Sequence, residues 1–266
     1  MSRNSMFWGI VLLIVGGLFL LQNMGLLAVN VWNLVWPIFL ILLGAWFLIG
    51  TTMRREVYSA EQLSIPLGSS KTADVVIRHG AGRLTISGGA PAGTLASGSF
   101  MGGVVRDLRE EGSNVRLRLS PPTQRFFDFP WFIGPRTGFT WYLTLTEEIP
   151  LTLNLETGAS ESQIDLSKLK VTDLRIQTGA SDTRLTLPEN AGRMRASLHC
   201  GAAAIRVQVP PGVAARIHAQ TGLSELRVDK SRFTHTDGGY ETPDFVSAIN
   251  SVDLFIEAGV GSVEVS

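Results

Sequence analysis

The chain has 266 residues, 45% of them hydrophobic and only 17% charged, and its 23 basic side chains cancel its 23 acidic ones. That balance supplies no clustered basic excess, so it excludes an electrostatic footprint for nucleic acid. The single cysteine excludes a disulfide framework and any zinc site built on several thiolates.

The charges are unevenly spread. None occurs between Arg3 and Arg54. Beyond Glu56 the composition is that of a water-soluble segment: 42 of 210 residues are charged, 20 basic and 22 acidic, once Arg3, Arg54, Arg55 and Glu56 are set aside. The chain therefore divides into a membrane region over 1–56 and a nearly neutral soluble domain over 57–266, which is large enough for its own core.

Residues 6–21 are apolar apart from glycines and continue past Gln22 and Asn23 to Val29; residues 31–50 form a second apolar stretch. A hydrocarbon core of about 30 Å takes roughly 20 such residues in helical form, so the pattern predicts a two-helix transmembrane hairpin. A signal peptide fits less well. Its basic region would be one arginine, no Ala-x-Ala site follows, and a second apolar stretch comes at once. Asn30 and Asn33 with Gly25 mark the turn, and Trp8, Trp32, Trp36 and Trp46 lie where interfacial aromatics sit. Arg3 precedes the first helix, Arg54 and Arg55 follow the second, and the turn is uncharged. The positive-inside rule then places both ends, and with them the soluble domain, in the cytoplasm of a two-pass protein. A lone Cys200 agrees with a reducing compartment.

The soluble segment repeats. A glycine-centred phrase recurs at Gly80, Gly158, Gly179, Gly201, Gly222 and Gly259, as in Thr157-Gly158-Ala159-Ser160 and Thr178-Gly179-Ala180-Ser181, and the four central glycines are 21, 22 and 21 residues apart. A fixed short period signals stacked repeats. Three residues before each glycine stand Ile77, Leu155, Ile176, Leu198, Ala219 and Ile256; five before stand Val75, Leu153, Leu174, Ala196, Ile217 and Leu254. Polar groups alternate with them, the period-two mark of a strand with one buried face. Each unit thus reads as strand, tight glycine turn, strand and second turn, the last carrying Pro188 to Gly192 or Pro210-Pro211-Gly212. The fold class expected is an all-β soluble domain, a stacked β-repeat or solenoid with a period of about 21 residues, behind a two-helix transmembrane hairpin. Whether its ladders are parallel or antiparallel is left open by the pattern.

These residues carry a family resemblance. The stretch Leu20-Leu21-Gln22-Asn23-Met24-Gly25-Leu26-Leu27 and the run from Trp36-Pro37 to Gly44 resemble the LiaI/LiaF-type transmembrane region of bacterial membrane proteins. The Thr-Gly-Ala-Ser repeats and the ending from Tyr240 to Val265 are similar to the adhesin-like "toast-rack" β-domains often joined to it. The resemblance implies a bacterial inner-membrane protein and a role in the class that modulates envelope-stress sensors.

Candidate chemistry is sparse. His79, His199 and His218 fall at three different repeat positions and His235 in an irregular insert, without the local spacing of metal ligands. Cys200 replaces the threonine of sister repeats and reads as a small buried residue. Glu161, Asp182 and Glu225 share one register, but Ala204 interrupts the series and nothing supplies the six or so oxygens calcium takes. No catalytic residue, metal or cofactor is expected. The segment 126–133 is the least ordinary feature: Phe126, Phe127, Phe129, Trp131 and Phe132 are bracketed by prolines. It reads as a plug that caps the β-stack, which every open stack needs, or as an exposed loop that touches lipid or a partner. The function expected is non-catalytic interaction: holding or modulating a membrane or envelope-stress protein at the lipid surface, with no nucleic acid. An outward-facing adhesin or glycan-binding module is the alternative, and homo-oligomerisation is left open.

Overall fold

The computed structural model describes residues 60–122 and 139–266, together with Leu13, Gly16 and residues 36–37, 39–41 and 43–44, which are helical. Among the described residues no helix is long and apolar enough to cross a membrane. The expected hairpin of residues 1–56 and the aromatic segment 126–133 lie largely or wholly outside them.

Residues 60–122 and 139–266 are built of strands, as the alternation predicts. In chain order they are β1 (Glu61–Pro66), β2 (Thr72–Gly88), β3 (Thr94–Met101), β4 (Val105–Glu111), β5 (Asn114–Ser120), β6 (Phe139–Leu145), β7 (Leu151–Asp165), β8 (Val171–Thr186), β9 (Arg193–Gln208), β10 (Ala214–Val228), β11 (Thr234–Thr236), β12 (Gly239–Glu241) and β13 (Ser251–Val265). They form one open sheet in the order β1-β3-β6-β2-β7-β8-β9-β13-β10-β12-β11, with β4 and β5 branching from the first half of β2.

Six long strands make its centre, and all six are parallel: β2, β7, β8, β9, β13 and β10. Ladder direction, open in the sequence, is thereby decided. Antiparallel pairing is confined to the flanks, in β1 with β3, β3 with β6, β4 with β5, and the β10-β12-β11 hairpin edge. The glycine alignment is the ladder register: Ile77, Leu155, Ile176, Leu198, Ile256 and Ala219 are successive cross-strand partners. The order of stacking is not sequential, however. β13 enters between β9 and β10, so Gly259 and not Gly222 follows Gly201 across the sheet. The long connection from 229 to 250 gives β13 the reach to cross back and insert.

Each long strand has to fold back on itself, because its connections are short. A straight strand of 15 residues would be about 50 Å long. Only residues 166–170 join β7 to β8, and only 209–213 join β9 to β10, and five residues span at most about 18 Å. Two in-register parallel strands can be joined so briefly only if each doubles back at its middle. The burial parity agrees. In β7 the residues Leu151, Leu153 and Leu155 are buried before Gly158, and Ser160, Ser162 and Ile164 after it. An uninterrupted strand would send those two sets to opposite faces, yet the two halves share one core, with Leu153, Leu155 and Ile164 among its members.

The fold-back runs through the glycine column without a left-handed turn. None of Gly158, Gly179, Gly201, Gly222 or Gly259 is among the glycines with positive φ, which corrects the expectation of tight turns of that kind. What requires glycine is close approach. A Cβ on Gly158 would lie 2.4 Å from the carbonyl oxygen of Gly80; on Gly179, 3.1 Å from that of Gly158; on Gly201, 2.9 Å from that of Gly179. Each glycine thus seats its neighbour's backbone. Gly179→Val is therefore expected to cost more than about 1 kcal/mol, while Arg175→Thr, a change at a side chain 66% exposed, stays within about 0.5 kcal/mol. Urea denaturation of the two variants compares them directly, and equal losses would mean that inner and outer faces are exchanged.

Candidate functional site

Along the outside of the fold-back runs a groove. It consists of two contiguous cavities of 680 and 650 Å³ that share His199. Gly80, Gly158 and Gly179 line the first, and Gly201, Gly222 and Gly259 the second. All six glycines singled out in the sequence are thus brought together on one feature. With no side chains at these positions, the floor is backbone.

The walls come from the two residues before each glycine. One row is outward-facing and polar: Arg78, Glu156, Gln177, His199, Glu257 and Gln220 are aligned across adjacent strands. Within it Arg78 pairs with Glu156 at 2.9 Å and His199 with Glu257 at 2.9 Å, which leaves the amide of Gln177 between the pairs and that of Gln220 at the end of the row. The other row lies deeper: His79, Thr157, Thr178, Cys200, Ala258 and Thr221 are successive partners. The Thr157 hydroxyl donates to that of Thr178 at 3.0 Å.

None of the reactive groups in this groove is set up for chemistry. Cys200 is buried, and burial pushes its thiol up to about 12, far from the depressed range of reactive thiols. Its cross-strand neighbour is Thr178. We expect Cys200→Thr to change stability by less than about 1 kcal/mol, and the native thiol to react with a maleimide at pH 8 far more slowly than in the urea-unfolded chain. Equal rates in the two states would put the thiol at the surface. His79, 2% exposed, lies against Trp141 at 5.2 Å between ring centroids and donates from Nε2 to the Phe139 carbonyl at 3.1 Å. Burial holds its pKa below the ordinary value, against the opposing effect of that hydrogen bond. This packing was not legible in the sequence, because Phe139 and Trp141 belong to a strand about 60 residues away.

The acidic register three residues after the glycine is also occupied. Glu161 is held by Arg83 at 2.9 Å, Asp182 by Arg206 at 3.2 Å, and Glu225 by Arg227 at 2.8 Å. The hydrogen bonds from Arg227 keep the Glu225 carboxyl below its usual range. These carboxylates form an arginine-neutralised ladder on the outer face. Among the described residues no group of three or more His, Cys, Asp or Glu is placed to hold a metal ion. Phe126, Phe127, Phe129, Trp131 and Phe132 lie outside the described residues; the chain that leads to them, Ser120-Pro121, lines the groove beside Gly80.

Residues 54–208 match the model of the N-terminal domain of toast_rack, DUF2154, and residues 6–48 match that of the LiaI-LiaF-like transmembrane region. The first match ends at Gln208, the last residue of β9. Among solved structures, a protein of Clostridium sporogenes ATCC 15579, provisionally described as a cell adhesion protein, superposes with a TM-score of 0.70 at 21% identity. The alignment covers 77% of this chain and 97% of that one, so it extends the shared fold beyond the family match. A provisionally described adhesin from Bacteroides fragilis NCTC 9343 aligns over 78% of this chain and 97% of its own, with a TM-score of 0.30 and 8% identity. No curated protein matches the chain.

Proposed function

The chain belongs to the toast-rack family, and from that premise we propose that it is a membrane-anchored interaction protein without catalysis, which holds or modulates a membrane partner of the envelope-stress-sensing class. The match of residues 6–48 to a LiaI-LiaF-like transmembrane region supports the anchor. One observation carries the non-catalytic reading. Along the groove the thiol is buried, and Glu156 and Glu257 are each engaged by a basic partner. What the groove offers a partner is backbone and amide hydrogen bonding, which recognises without reacting.

Arg3, Arg54 and Arg55 around an uncharged turn favour a cytoplasmic β-domain in a two-pass inner-membrane protein. The second reading is an outward-facing adhesin or glycan-binding module. It draws on the likeness in fold to the Clostridium protein and on the polar, side-chain-free floor of the groove. Sidedness separates the two. Protease added to intact spheroplasts is expected to leave residues 57–266 whole, and a photo-cross-linking residue at Gln177 to capture a membrane protein from the same cells. Digestion before lysis would reject the cytoplasmic reading in favour of the adhesin.

A further inference from the structure

The two edges of the parallel stack are finished differently. At one, the halves of β2 are each covered, the first by β5 and the second by β6. At the other, β10 pairs with β12 only at Arg216 and Ile217. From His218 to Val228 the outer edge of β10 has no strand partner among the described residues. An edge of this length is normally blunted by lysine, proline or a bulge, and this one contains no lysine or proline.

Its side chains are those of an interior strand left half open. Leu226 and Val228 continue the core column of Val263 and Val265, yet those two are 1% exposed while Leu226 and Val228 are only partly buried. The residue after each glycine is alanine in the first four strands, Ala81, Ala159, Ala180 and Ala202, and then enlarges to Val260 and Leu223 at this edge. Both are exposed, at 54% and 84%. The Ser224 hydroxyl is buried and has no hydrogen-bond partner among the described residues.

We infer that this edge is a self-association site, at which β10 pairs antiparallel with β10 of a second copy about a two-fold axis through Leu226. Two constraints narrow the register, and only centring on Leu226 pairs Glu225 with Arg227 across the interface. Strand side chains alternate faces, so a two-fold axis normal to the sheet must pass through a residue and not between residues, or buried groups would meet exposed ones. Centring on Glu225 or on Arg227 would set like charges directly opposite, which is unfavourable. Centring on Leu226 puts Glu225 opposite Arg227 of the second copy, and Arg227 opposite its Glu225, with the two Leu226 side chains meeting over the core. The interface is isologous: both edges are consumed, and growth stops at two.

The test uses the full chain in detergent-solubilised membranes, with Cys200→Thr removing the sole native thiol. Opposed residues in antiparallel strands have Cα atoms about 4.5–5.5 Å apart, within disulfide range. Leu226→Cys should therefore yield a disulfide-linked dimer on mild oxidation, whereas Arg184→Cys, in the middle of the stack, should yield none. Glu225→Arg alone and Arg227→Glu alone should each cut the cross-linked fraction at least about fivefold by setting like charges together. A mixture of these two variants, or the double exchange within one chain, should restore it. Because Glu225 and Arg227 also pair within one chain at 2.8 Å, it is the rescue on mixing, where each chain still lacks its own pair, that reads the interface and not the fold. A Leu226→Cys cross-link no stronger than that of Arg184→Cys, or one indifferent to both charge reversals, overturns the inference. So does a detergent-corrected mass of one copy.

Discussion

Trp141→Ala is expected to produce the largest loss of stability of any single truncation in the β-domain, about 3–5 kcal/mol. The indole is 0% exposed and lies at the junction of β6 with its neighbours, edge-on to Phe100 at 5.3 Å and to His79 at 5.2 Å between ring centroids. Removing it leaves a cavity that the strands cannot close, since β6 is held by β2 on one side and β3 on the other. Trp141→Phe should be much milder, below about 1.5 kcal/mol. The reason is that the buried indole N–H has no acceptor among the described residues, and deleting such a donor removes a desolvation penalty that it carries in the native state. Urea denaturation followed by far-ultraviolet circular dichroism measures both. A Phe variant as unstable as the Ala variant would mean that the N–H has a partner whose loss matters.

Gly261→Ala is expected to follow closely, at roughly 2–3 kcal/mol, for a different reason. Gly261 has φ of +136°, in a region L-residues avoid and whose strain alone costs about 1–3 kcal/mol. A Cβ there would also lie 2.0 Å from the carbonyl oxygen of Ala203. Both must be relieved by moving β13 away from β9, and among the described residues β13 is the only parallel neighbour of β10. The substitution should therefore loosen β10 and its hairpin as well as β13. Hydrogen exchange is expected to show faster exchange through residues 214–228 and 251–265, with β7 and β8 little changed. Uniform loss across the sheet would indicate that the strand pairs on either side of β9 do not open separately.

The difference between the two glycine effects bears on what a sequence reveals. A period of about 21 residues and the alternation around each glycine are local properties of the chain, set by the need to bury one face of every strand. They were enough to assign the all-β class, the ladder partners Ile77, Leu155, Ile176, Leu198 and Ile256, and the inward face of each half-strand. The register that sets Cys200 opposite Thr178 was legible for the same reason. The uncharged stretch between Arg3 and Arg54 was legible too, because charge is excluded from a bilayer by its solvation cost, and residues 6–48 match the LiaI-LiaF-like transmembrane region.

Three things were decided only by tertiary structure. The parallel direction of the ladders depends on how successive coils stack, which no single repeat displays, whereas the change of direction at each glycine was already legible in the repeat. The requirement for glycine at 158, 179 and 201 arises from a neighbouring strand's carbonyl oxygen, so a local reading assigns it to backbone conformation when close approach is the cause. The insertion of β13 between β9 and β10 reverses the order of the last two repeats. It is invisible to periodicity because both orders satisfy the same register. That insertion also leaves β10 at the edge with Leu223, Leu226 and Val228 incompletely covered. The sequence by itself determined which faces are buried, because burial follows side-chain chemistry at fixed spacing. Which strand stands last, and what its open edge can bind, depended on contacts between residues far apart in the chain.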